Sequence, residues 1–193
     1  MKNIIIFTFI TFNLIKAQSI IGPSNTRTNL FNFLINNYTT SNTLSYNNAR
    51  DVMYSIIDLR NDNTLKGIYT NYTITIDPSQ DPRPQTNALN MNCEHSWPQS
   101  MGASGSPQKS DMHHLYPTRG NVNSSRGNKP FDEINDDQTD KWWRLDYYET
   151  SIPNQFIDEF SEVDNDNEKF EPREDVKGNI ARSMFYFYTI YND

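Results

Sequence analysis

The sequence predicts an α+β domain. Ser45 caps a segment in which Ala49, Val52, Met53, Ile56 and Ile57 recur at i, i+3, i+4, i+7 and i+8, which is one face of a helix. Tyr72-Thr73-Ile74-Thr75-Ile76 alternates polar and apolar, as a half-buried strand does. Ile180, Met184, Phe187 and Tyr188 return to helical spacing after Gly178-Asn179.

The chain opens on Met1-Lys2-Asn3, an apolar run from Ile4 to Ile15, and Lys16-Ala17-Gln18. A charged start, a short apolar stretch and a small residue at the break form the pattern of a secretory signal peptide, cut near Ala17. The run is too short to span a bilayer, which takes about 20 apolar residues. We therefore assign residues 1–17 to the signal and 18–193 to a single domain, located outside the cytoplasm and not in a membrane. A chain of 193 residues with 13% aromatic content has material for one core. Losing Lys2 and Lys16 removes two positive charges and no acid, so the formal charge goes from −7 to −9. Such a protein repels polyanions at long range, and a nucleic-acid partner would need a local basic patch or a bound cation. Cys93 is the only cysteine, which excludes an intrachain disulfide, and a small buried role suits it better than that of a ligand.

Leu30, Phe33 and Leu34 predict a short amphipathic helix, so that an N-terminal helical part covers about residues 28–60. Asn36 to Asn42 reads as a polar break and Asn61 to Thr64 as a turn. Asp77 to Gln85, with Pro78, Pro82 and Pro84, reads as loop. Met91 to Ser96 predicts a strand, and Met112 to Leu115 a second one stopped by Pro117. Asn121 to Asn128 has the polarity of a helix start or tight loop, Lys129 to Lys141 is irregular, and Trp142 to Tyr148 predicts a strand. Adjacent Trp142 and Trp143 are expected to divide into one core and one rim residue. Asp164-Asn165-Asp166-Asn167-Glu168 imitates a calcium loop but has Lys169 where such a loop needs glycine, and is expected to be a solvated acidic turn. The end at Tyr191-Asn192-Asp193 follows closely on the last apolar helix and fits either a natural terminus or a chain cut short.

All three histidines, His95, His113 and His114, fall within a stretch of about twenty residues that is also rich in acids and amides. Imidazole moves protons near neutral pH and binds metals. A carboxylate such as Glu94 and an amide such as Asn123 are hard ligands suited to Mg²⁺ or Ca²⁺. Together they point to metal-assisted hydrolysis, with the cation stabilising charge on a phosphoryl oxygen and a neutral imidazole taking a proton from water. Zinc held by His95, His113 and His114 is the rival reading, made awkward because successive side chains on a strand point to opposite faces.

Three segments in this order carry a resemblance: Glu94-His95-Ser96-Trp97-Pro98-Gln99-Ser100, Asp111-Met112-His113-His114-Leu115-Tyr116-Pro117 and Asn121-Val122-Asn123-Ser124-Ser125-Arg126-Gly127-Asn128. They are similar to the core of the endonuclease I family of secreted or periplasmic nonspecific nucleases. Lys177 to Tyr186 resembles a later helix of that family, and the likeness covers roughly residues 45–191. It implies a ββα-metal (His-Me) finger at about residues 90–130, embedded in a mixed helical and short-strand domain. It implies His95 as general base, Glu94 and Asn123 as ligands of one Mg²⁺ (Ca²⁺ or Mn²⁺ as alternatives), and Arg126 and Asn128 in phosphate or loop-bracing contacts. The implied substrate is DNA, and RNA beside it, cut by a monomeric enzyme. The interval from Ser100 to Asp111 is short against the family pattern and leaves the phosphate-gripping cation unassigned among Lys109, Arg119 and Arg126. A binding protein of the same fold without activity, and a zinc hydrolase, are the competing readings.

Overall fold

The computed structural model describes residues 26–40 and 43–191; the assigned signal peptide lies outside them. Helix α1 (Arg27–Tyr38) comes first, extending into the segment read as a polar break. Helix α2 (Tyr46–Val52) starts at Ser45, whose hydroxyl accepts from the Asn48 amide as the sequence predicts. The helical face through Ile57 is corrected. Met53–Ile57 winds as a π-helical turn, with the Asp58 amide donating to the Met53 carbonyl at 2.9 Å. The wider turn rotates the register, so Ala49 and Met53 stay buried while Ile56 and Ile57 are 71% and 55% exposed.

Strands β1 (Thr64–Lys66) and β2 (Thr73–Thr75) form an antiparallel pair with Leu65 opposite Ile74. The proline-rich segment read wholly as loop contains helix α3 (Pro82–Ala88). Asp81 caps it and Pro82 fills its first position, where a missing N–H is no loss and φ is already helical. Strand β3 (Met91–His95) pairs antiparallel with β4 (Leu115–Arg119), His95 opposite Leu115 and Met91 opposite Arg119. The second strand was expected at Met112 to Leu115. Instead Met112–His114 is a 3-10 turn and the strand runs through Pro117. The Pro117 carbonyl faces away from β3 and accepts from the Ile68 amide at 2.8 Å, so the absent N–H lies on that outer side and no ladder bond is lost. Helix α4 (Gly120–Arg126) follows directly. A Cβ at Gly120 would collide with the Asn90 side chain, so glycine allows α4 to start tight against the turn into β3.

Trp142 to Tyr148 forms a hairpin, β5 (Lys141–Arg144) and β6 (Tyr147–Glu149). With β7 (Ser161–Asp164) and β8 (Lys169–Glu171) it makes an antiparallel sheet of order β6-β5-β7-β8. Trp142 and Trp143 are both buried, so neither is a rim residue. In the β7–β8 turn Asp164 accepts from the Asn167 backbone and side chain, while Asn165 to Glu168 face solvent. Helix α5 (Glu174–Tyr191) closes the chain, with Val176, Ile180, Ser183, Phe187 and Ile190 buried.

Two apolar clusters flank the β3–β4–α4 unit. One joins Ala49, Met53, Leu65, Ile74, Met91 and Leu115; the other joins Tyr69, Val122, Trp143, Val163, Phe170 and Ile180. Burying a side chain of this size contributes about 1.5–3 kcal/mol. These clusters fix the strand pair and α4 relative to their surroundings. No helix among the described residues is long and apolar enough to cross a membrane.

Candidate active site

Strand β3 ends on Glu94 and His95, both almost fully buried. Alternation sends their side chains to different partners. The Glu94 carboxylate meets Tyr69 and α4. Its Oε1 accepts from the Tyr69 hydroxyl at 2.5 Å and faces the Arg126 guanidinium at 3.2 Å. Neither contact falls on Oε2. Burial pushes the Glu94 carboxyl up to about 7, against the lowering pull of Arg126 and the Tyr69 hydroxyl. A buried carboxylate held this far up favours a second positive charge nearby.

The His95 ring packs against Tyr46 and His114, with centroids 5.4 and 5.3 Å away. Its Nε2 donates to the Lys109 carbonyl at 3.0 Å, and its Nδ1 faces the Gln99 amide nitrogen at 3.4 Å. A donor at Nε2 and an amide N–H pointing at Nδ1 assign the proton to Nε2 and leave Nδ1 an unprotonated acceptor that Gln99 reaches at 3.4 Å. Burial pushes the imidazole down to about 4, against the raising effect of the Lys109 carbonyl, so the ring is neutral at pH 7. The Arg126 guanidinium touches both residues, pairing with the Glu94 carboxylate and donating to the His95 carbonyl, while the His95 ring has other partners.

Asn123 lies on α4, half-buried, and its amide makes no hydrogen bond among the described residues. Arg126, at the end of α4, is 2% exposed. Its guanidinium donates to the carbonyls of His95 at 3.2 Å, Ser96 at 2.8 Å and Gly127 at 3.3 Å, besides pairing with Glu94. Of the two contacts expected of it, these are the loop-bracing kind. Asn128 is exposed. With Arg126 it lines a cavity of about 840 Å³ whose walls include Trp97, Phe131, Lys177 and Phe185.

The other histidines divide. His114 is wholly buried and its Nε2 donates to the Gln108 carbonyl at 2.6 Å. His113 remains accessible, its Nδ1 2.7 Å from Asp111. One nitrogen of each of the three rings therefore already has a protein partner. Among the described residues the only trio of acids or histidines close enough to share an ion is Glu133, Glu171 and Glu174, without a histidine. Lys177 Nζ already stands among these, at 2.9, 2.5 and 2.6 Å.

Tyr69, Tyr46 and Arg50, beside Glu94 and His95, escape sequence reasoning. Tyr69 binds the carboxylate across a long chain separation, and nothing in its local pattern marks it. Tyr46 and Arg50 are at i and i+4 on α2, a spacing that signals a helix face but not a site. The Arg50 guanidinium and the Lys109 ammonium both stack on the Tyr46 ring, at 4.7 and 5.1 Å, which brings two cations close to His95.

A strand pair thus leads into a short helix, with a buried carboxylate and a neutral imidazole at one strand end and, on the helix, an amide with no described hydrogen bond. The family model for Endonuclease I matches residues 23–193, and the chain belongs to that family. It is similar to the extracellular ribonuclease of Bacillus subtilis (strain 168), 32% identical over 136 residues, covering 69% of this chain and 39% of that protein. It is also similar to the extracellular ribonuclease of Bacillus amyloliquefaciens, 33% identical over 102 residues, 52% of this chain and 29% of that protein. The chain thus spans about two fifths of the first relative's length and less of the second's.

Proposed function

We propose that this protein is an exported, metal-dependent nuclease that hydrolyses phosphodiester bonds in RNA and DNA with little regard to sequence. The observation that carries the reading is the neutral His95 ring at the end of β3, its tautomer fixed by the Lys109 carbonyl, one residue from a buried carboxylate. The β3–β4–α4 unit is the ββα finger of this reading, and the names of the two extracellular relatives support both export and a nucleic-acid substrate.

The donor set fits a hard divalent cation. Glu94 offers an oxygen outside its two described contacts, Asn123 offers an amide oxygen with no competing partner, and both are the oxygen ligands that Mg²⁺ takes. When bound, the ion supplies positive charge to the scissile phosphate and to the leaving oxygen. His95 Nδ1 accepts a proton from the attacking water, and Nε2–H stays on the Lys109 carbonyl, which holds the ring in line. Arg126 keeps the backbone at His95 and Ser96 fixed through their carbonyls. Arg50 and Lys109 lie beside the base and can grip phosphate. Contacts to phosphates without base edges give the lack of sequence preference.

The test is His95→Ala assayed on RNA and plasmid DNA with Mg²⁺. Loss of a general base lowers the rate by roughly 10²–10⁴-fold. A variant that cuts near the parent rate contradicts the assignment. A parent that shifts nucleic acid in a gel with Mg²⁺ yet never cuts it supports the inactive binding protein instead.

A further inference from the structure

We propose that Asp111, held by Tyr186 and Tyr191 of α5, is a positioning residue that keeps the Lys109 carbonyl on His95 and so fixes which nitrogen of the base is free. The proposal rests on the nuclease reading only for its effect on rate; its effect on the ring stands on geometry alone.

The chain of contacts is continuous. Asp111 is 4% exposed. Its Oδ2 accepts from the Tyr186 hydroxyl at 2.8 Å and the Tyr191 hydroxyl at 2.6 Å. Its Oδ1 accepts from the His113 amide at 3.1 Å and meets His113 Nδ1 at 2.7 Å. Four donors on one carboxylate leave it little freedom. Its own amide donates to the Gln108 carbonyl at 3.3 Å, tying it into the turn that presents carbonyls 108 and 109. Those carbonyls receive His114 Nε2 and His95 Nε2. Ring contacts run in parallel: His113 stacks on Tyr186 at 4.3 Å, and His114 meets Phe187 edge-on at 4.8 Å. The last turns of α5 thus hold Asp111, His113 and His114, the residues that follow the two carbonyls receiving the rings.

A side chain that fixes the ring through a backbone carbonyl resembles the outer partners that orient metal-ligating histidines, whose loss lowers activity roughly 10–100-fold. Binding of substrate should be little affected, because none of these groups faces the cations beside Tyr46.

The experiment uses the full chain with ¹⁵N-labelled histidine, of which there are three to assign. Tyr186→Phe/Tyr191→Phe removes both hydroxyl donors and keeps the rings. In the parent, the His95 signals report a protonated Nε2 and a bare Nδ1. In the double variant they move toward the averaged values of an exchanging tautomer, and kcat falls roughly tenfold or more with KM within about twofold. Unchanged His95 signals overturn the proposal, even if the melting temperature or kcat drops, since that is what a purely structural bond would give. Should the double variant not fold, Tyr186→Phe alone is read by the same criterion, with a smaller shift in the same direction. A parent that cuts nothing but whose ring loosens in the variant sinks the nuclease reading and leaves the positioning claim intact.

Discussion

Arg126 stands 3.2 Å from Glu94 Oε1, and both side chains are almost wholly out of solvent. The pair is the joint between α4 and the end of β3, since the same guanidinium also ties the carbonyls of His95 and Ser96. Without Arg126 the buried Glu94 carboxyl takes up a proton rather than staying charged, so the cost is that of the lost guanidinium hydrogen bonds, about 1–3 kcal/mol. Arg126→Met should therefore lower stability by about that amount in chemical denaturation. A loss below about 1 kcal/mol would show that the pair is as weakly coupled as a surface bridge.

Metal affinity should depend on the protonation of Glu94. Burial holds this carboxyl up to about 7, so below that pH the free protein carries a proton there that a cation must displace. Calorimetric titration with Mn²⁺ at pH 6 should show proton release, seen as a binding enthalpy that changes with the ionisation enthalpy of the buffer. At pH 8.5 the dependence should vanish. A buffer-independent enthalpy at pH 6 would place the ion elsewhere.

The Asp111–His113 contact gives a separate pH signature. Burial alone would raise Asp111, but hydrogen bonds from His113, Tyr191 and Tyr186 outweigh it and hold the carboxyl well below its usual range. The same bond to Asp111 raises His113 above 6.5. A raised histidine stabilises the fold fully below its unfolded pKa, and the contribution disappears as pH climbs through the folded value. The depressed carboxyl stabilises above about 4 and loses its effect as pH falls. His113→Ala should flatten the decline in melting temperature between pH 6 and 8 relative to the parent. Parallel curves for the two proteins would remove His113 from the account. Because His113 is largely exposed, the difference should be small.

Salt should weaken the proposed nuclease activity steeply. Phosphate contacts release counterions, so kcat/KM on RNA should fall linearly on a log–log plot against salt, with a slope near −0.7 for each phosphate neutralised on a single strand. Lys109→Gln should reduce that slope by roughly one such contact without altering the products. An identical slope would assign the grip to other cations.

Much of the architecture is legible in local pattern. Ser45 and the spacing from Ala49 to Met53 announce α2, and the alternation at Tyr72 to Ile76 announces β2. The failures have physical causes. Pro82 and Pro84 break a helix interior but suit its first turn, so α3 hides in an apparent loop. The π-helical turn at Met53–Ile57 changes the period within a run that otherwise reads as uniform. Pro117 survives in β4 because its nitrogen lies on the outer side, which only the pairing partner reveals. At the candidate site, the compact run from Glu94 to Asn128 stands out in the sequence by its chemistry. Tyr69, Tyr46, Arg50, Tyr186 and Tyr191 could not, since they reach it through tertiary packing and carry no local mark.

Whether Glu94 and Asn123 hold one cation beside His95 is decided by a crystal grown with Mn²⁺ and measured for anomalous scattering. One strong peak is expected within about 2.0–2.4 Å of both a Glu94 carboxylate oxygen and the Asn123 amide oxygen, on the side of the β3 end reached by His95 Nδ1. A peak only at Glu133, Glu171 and Glu174, or a fully occupied ion that Asn123 does not touch, would contradict it.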